Sequence, residues 1–160
     1  MLNDDFIESV LSAAVQIQKN HSLSAPAITA QACLETGYGK YVCTDINTGQ
    51  YSYNLFNIKG EGPAGSVLVN TIEYYHGVKT SIQDHFRAYN NFEESFEDLV
   101  KLMSKDRYKP CREAVDNPSE YARQLFKCGY ATDPNYANKL IKIMDSYNLI
   151  ELAKEMMQMS

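Results

Sequence analysis

The sequence runs to 160 residues, enough for one domain with a sizeable core. Hydrophobic residues make up 44% and charged residues 22%, which excludes a disordered or fibrous chain. The formal net charge is −5 and its 15 Lys and Arg are scattered among acids, so the basic face that nucleic-acid binding requires is missing.

In chain order, the spacing predicts a first helix from near Asn3, with Phe6, Val10, Ala14 and Ile17 on one face. Asp4, Asp5 and Glu8 lie in its first turns, where the helix dipole favours acids. After a connection over 21–25, Ser24 is placed to cap a second helix with Pro26 in its first turn and Gly37 at its end. Residues 41–65 are rich in Gly, Asn, Thr and Ser and read as irregular, with an apolar knot at Leu55, Phe56 and Ile58. The alternation of 67–75, the break at His76-Gly77 and the resumption through 78–89 predict a β-hairpin.

The remainder reads as helical. One helix carries Phe92, Phe96, Leu99, Val100 and Met103, and a second spans about 119–128 before Gly129. A third opens at Asp133-Pro134, and a short last one covers about 149–157. No linker, repeat or low-complexity tract divides the chain. The expected fold class is α+β, mainly helical, with a cleft between a helical lobe and a small hairpin lobe.

Ile28, Ala32 and Glu35 share one face of the second helix, so apolar neighbours turn Glu35 toward the core edge. It also sits in the last turn, where the negative helix end disfavours a carboxylate. Both effects raise its pKa, and a carboxylic acid still protonated near neutrality suits glycosidic cleavage. On helix spacing alone, a glutamate turned outward into solvent is the commoner case. Glu73 alternates with Thr71 and Tyr75 on one strand face, as a cleft carboxylate or a solvated one.

The motifs shift that balance. Residues 30–40 read AQACLETGYGK and resemble the AQAxLESGWGKS signature of the glucosaminidase family, glycoside hydrolase family 73. Residues 54–60, NLFNIKG, are similar to its NLFGIKG. Thr71-Ile72-Glu73-Tyr74 followed by Phe86-Arg87-Ala88-Tyr89 resembles its TxEY…FRxY hairpin, and residues 129–137, GYATDPNYA, resemble its GYATDPxYA block. The resemblance implies a lysozyme-like fold and hydrolysis of the β-1,4 bond between N-acetylglucosamine and N-acetylmuramic acid in peptidoglycan. It puts the general acid at Glu35, a second carboxylate at Glu73, and Tyr130 near the cleaved sugar. It puts substrate contacts at Tyr38, Asn54, Phe56 and Asp98. Three departures touch the sugar-facing surface: Tyr38 stands for a Trp, Asn57 for a Gly, and a Trp common after the second block is absent.

No cofactor or metal is expected. His21, His76 and His85 form no ligand pair, Gly60-Glu61-Gly62 lacks the flanks of a phosphate loop, and Cys33, Cys43, Cys111 and Cys128 have no metal spacing. Cys33 reads as a buried free thiol, and Asp133 as a helix cap rather than a catalyst. No stretch approaches the roughly 20 apolar residues of a membrane span, and the first five residues lack the features of a secretion signal. The expectation is therefore action on the bacterial wall, extracellular or periplasmic, by a phage-delivered enzyme or an excised domain, aided by a targeting domain or tail component. A lytic transglycosylase and a non-catalytic wall-binding or tail module are the competing readings.

Overall fold

A computed structural model describes residues 3–159. In chain order it comprises α1 (Asn3–Asn20), α2 (Ala25–Thr36), β1 (Ser66–Tyr75), β2 (Val78–Arg87), α3 (Phe92–Met103), α4 (Lys109–Glu113), α5 (Pro118–Lys127), α6 (Tyr136–Ser146) and α7 (Leu149–Gln158). The fold is mainly helical with one antiparallel hairpin, as the sequence leads one to expect.

α2 is the axle of the helical lobe. Every residue from Ala25 to Cys33 is buried, and α1, α5, α6 and α7 all pack on it. The sequence reading gave α2 one inward face, yet the structure buries it all round. Its run of Ala, Thr and Cys is the reason: small side chains let neighbouring helices approach from every side, and a helix apolar all round belongs in a core. Its ends follow the sequence signals. The Ser24 hydroxyl accepts from the Ala27 N–H at the N-terminus, and Gly37 adopts the left-handed conformation at φ 56° to close the C-terminus.

The hairpin pairs Ser66 with Arg87 through to Tyr75 with Val78. His76 and Gly77 both take positive φ, 51° and 78°, as a two-residue turn matched to strand twist demands. β2 ends at Arg87, two residues short of the expected Tyr89, because the Ala88 and Tyr89 N–H groups bond Gly65 and Ser52 instead of β1. The hairpin base has its own small core of Val67, Phe86 and Ala88, whereas Ile72, Tyr74, Tyr75 and Val78 near the tip are exposed.

Two helical boundaries differ from expectation. The sequence reading missed a single 3-10 turn at Asp106–Tyr108 and the five-residue α4, both too short to show a 3.6-residue period. α6 starts at Tyr136 rather than at Asp133-Pro134. The Asp133 carboxylate accepts from the Asn135 N–H and pairs with Lys139 at 2.6 Å, so it holds the turn before the helix instead of capping the helix itself.

Candidate active site

Glu35 emerges where the buried α2 runs out, two residues before Gly37, and is only half-buried. Burial pushes its carboxyl above the ordinary value, and a hydrogen bond from Asn57 pulls the other way. Asn57 Nδ2 donates to Glu35 Oε2 at 3.3 Å and to the Glu35 backbone carbonyl at 3.2 Å.

Two tyrosines complete the surroundings. Burial drives the Tyr130 phenol well above its usual range, and Tyr136 and the Glu35 charge add to that rise. Tyr136 is raised for the same first reason, opposed by a hydrogen bond from Gln31 and increased by Glu35. Both phenols therefore stay neutral while Glu35 titrates, and they act as polar surfaces and donors rather than as charges. Gln31, one helical turn before Glu35, donates from Nε2 to the Tyr136 hydroxyl at 3.1 Å. That leaves the hydroxyl's own hydrogen available to another acceptor. Tyr130 stacks between Tyr108 and Tyr136, with ring centres 6.1 Å from each. Gln31 and Tyr136 were not singled out from the sequence, and Asn57 was noted only as a departure from the motif, although all three lie inside the motif blocks.

The hairpin carboxylate has a different setting. Glu73 is ion-paired with Lys59 at 3.2 Å, and the same ammonium reaches Asp84 at 2.9 Å. Glu73 and Asp84 share a face of the hairpin, since Glu73 lies opposite Thr80 and Asp84 opposite Val69. Lys59 and Asn57 are two residues apart, so their Cα atoms are within about 7 Å. One short loop thus touches both carboxylates, Glu35 through Asn57 and Glu73 through Lys59.

Asn54 shapes that loop. It is fully buried, and its side-chain nitrogen donates to the Ile58 and Arg87 carbonyls, both at 2.9 Å. Its oxygen accepts from the Phe56 and Ile58 N–H groups. The Asn54 amide, expected as a substrate contact, is engaged with backbone on both its nitrogen and its oxygen. Phe56 is likewise buried, edge-on against Phe96. Asp98 accepts from Arg87 at 2.9 Å and from the Tyr89 hydroxyl, which locks α3 to the hairpin root. It lines a cavity of about 270 Å³ with Arg87, Tyr89 and Lys101, and Glu35 is not among the lining residues. Tyr38 packs against Tyr147 with ring centres 5.4 Å apart, and burial together with Tyr147 pushes its phenol up to about 12. The structure therefore sets Tyr130 near Glu35, tethers Glu73 to the Asn57 loop through Lys59, buries Asn54 and Phe56, and leaves Tyr38 and Asp98 half-buried.

Among the described residues no cluster of His, Cys, Asp or Glu is arranged to hold a metal, and all four cysteines are free thiols, with Cys33 buried. No helix among them is long and apolar enough to cross a membrane.

The family model described as Glucosaminidase, mannosyl-glycoprotein endo-β-N-acetylglucosaminidase, matches residues 11–149. The peptidoglycan hydrolase FlgJ of Pseudomonas aeruginosa is 36% identical over 156 residues, covering 94% of this chain and 39% of that protein. The exo-glucosaminidase LytG of Bacillus subtilis is 39% identical over 155 residues, covering 91% of this chain and 52% of that protein. The chain thus spans about two-fifths to one-half of these curated relatives. Among solved structures, the catalytic domain of the Listeria monocytogenes autolysin Auto superposes with a TM-score of 0.81 at 32% identity, covering 93% of this chain and 86% of that one. A C-terminally truncated glycoside hydrolase domain of Salmonella typhimurium FlgJ gives 0.77 at 30%, covering 92% and 98%.

Proposed function

The chain belongs to the glucosaminidase family, and from that premise we propose that it is a glycoside hydrolase acting on the glycan strands of bacterial peptidoglycan. The bond it cuts is the β-1,4 linkage between N-acetylglucosamine and N-acetylmuramic acid, with Glu35 as general acid. The observation that carries this reading is the half-buried Glu35 carboxyl, raised by burial and set beside two neutral phenols. A raised pKa keeps the group protonated at pH values where an ordinary glutamate is ionised, so it has a proton to give the departing sugar oxygen.

Tyr130, whose phenol feels the Glu35 charge, offers its hydroxyl to the N-acetyl group of the sugar being cut. Glu73 supplies the second carboxylate from the hairpin, activating water or steadying the oxocarbenium-like transition state. The net charge of −5 provides no pull toward an anionic wall, so targeting falls to a separate domain or tail component.

The test is a muropeptide digest by wild type and Glu35→Gln, read by mass spectrometry. Reducing-end N-acetylglucosamine from wild type, and none from the variant, is the expected result. Anhydro-muramic ends would make the protein a transglycosylase, reducing muramic ends would reassign the bond, and equal cleavage by both proteins would remove Glu35 from the reaction. Absence of any cleavage by wild type, with wall binding retained, would make it a binding module.

A further inference from the structure

The Glu35 carboxylate has one side-chain hydrogen-bond donor among the described residues, and it comes from a residue that departs from the family pattern. Asn57 stands where the resembling motif has glycine. Its backbone lies in the left-handed region at φ 53°, which glycine adopts freely and asparagine tolerates better than most residues. Either residue satisfies the turn, but only asparagine adds a donor.

Its orientation follows from its partners. The Glu35 carbonyl is an acceptor only, and so is the ionised carboxylate, so the amide must present its NH₂ group to both. One nitrogen forks between the side chain and main chain of the same glutamate, which restricts the torsions between them. Asn57 is itself held in place, because the loop on either side is bolted down by the buried Asn54 amide and by the Arg87 N–H bond to the Ile58 carbonyl at 2.9 Å.

We infer that Asn57 is a positioning residue for the acid: its amide fixes the Glu35 carboxyl group and stabilises the anion left after the proton has passed to the departing oxygen. The inference rests on Glu35 being that acid. The other groups facing Glu35 are the phenols of Tyr130, before α6, and Tyr136, on α6. Neither carries charge in the relevant range, and no Lys, Arg or His is ion-paired with Glu35 among the described residues. Asn57 is thus the group that offsets burial, which otherwise makes Glu35 a weak acid that gives its proton up slowly.

The experiment is a pH profile of kcat and KM on solubilised glycan strands for the full chain, comparing wild type, Asn57→Gly, Asn57→Asp and Glu35→Gln. Asn57→Gly keeps the backbone conformation and loses the donor. It should move the alkaline limb of kcat upward by about half to one pH unit, lower kcat a few-fold and leave KM unchanged. Asn57→Asp also tolerates the turn and sets a second carboxylate beside Glu35, so its limb should move further in the same direction. An alkaline limb that stays at the wild-type position in both variants, or a loss confined to KM, would overturn the positioning role. Full activity in Glu35→Gln would instead bring down the assignment of the acid, so the two failures are distinct.

Discussion

Glu35 and Glu73 are the same residue type in opposite surroundings. The first sits at the end of a helix buried on every side, touched by an amide and flanked by phenols, with no cation ion-paired to it among the described residues. The second projects from a hairpin whose outer half is solvated, and shares a lysine with Asp84. Sequence motifs treat the two as a pair, but their environments divide the work. Burial raises the Glu35 carboxyl above its ordinary value, the setting of the proposed acid, while Lys59 ties Glu73 into an ion-paired network.

The comparison can be broken most directly by neutralising each group in turn. Glu35→Gln should reduce glycan cleavage by about 10²–10⁴-fold, the usual contribution of general acid catalysis. Glu73→Gln should cost less than that in the same turbidity assay, and equal losses would mean that the two groups share the chemistry more evenly than their settings suggest. The hairpin depends on its root for its position. Asp98→Ala strands Arg87 and the Tyr89 hydroxyl at a site where the Asp98 side chain is only 14% exposed. It should destabilise the fold by about 2–3 kcal/mol in urea unfolding.

A smaller effect separates the two regions by pH. Glu35 is raised above its ordinary value, so between that value and the raised one the folded chain binds more protons than the unfolded chain. Stability therefore declines as pH rises through that window, and Glu35→Gln, which has no proton to lose, should melt at a higher temperature than wild type above it. Asp84 has the opposite sign. The Lys59 ammonium, then the His85 N–H, hold its carboxyl below the ordinary range. Its contribution is present above the ordinary value and is lost as pH falls through the lowered one. Lys59→Met should make the smallest change, barely moving the melting temperature because the pair is exposed. It should still sharpen the comparison by reducing kcat, if Glu73 needs its tether.

Much of this was legible in the sequence because it was written locally. Ser24, Pro26 and Gly37 bound α2 within one residue, and the alternation around His76-Gly77 located the hairpin turn. Glu35 could be singled out because Gly37 marks the end of its helix and because residues 30–40 resemble the family signature, not because of a period, since α2 is buried all round. What was not legible lies in contacts that leave no period. Asn57 and Glu35 are 22 positions apart, and Gln31 and Tyr136 are 105 apart. Tyr136 sits inside the quoted GYATDPNYA block but read only as part of the helix expected from Asp133-Pro134. Asn54 and Asp98 show the converse: the resemblance marked them without saying what they touch, and in the structure Asn54 bonds the Ile58 and Arg87 carbonyls while Asp98 pairs with Arg87.

The central claim is that burial at the end of α2 keeps Glu35 protonated beyond the range of an ordinary glutamate. Carbon-13 NMR titration of the glutamate side-chain carboxyls, with Glu35 assigned by its absence in Glu35→Gln, measures this without reference to activity. The account predicts a Glu35 midpoint above the ordinary 4.5. A midpoint at or below that value would contradict it.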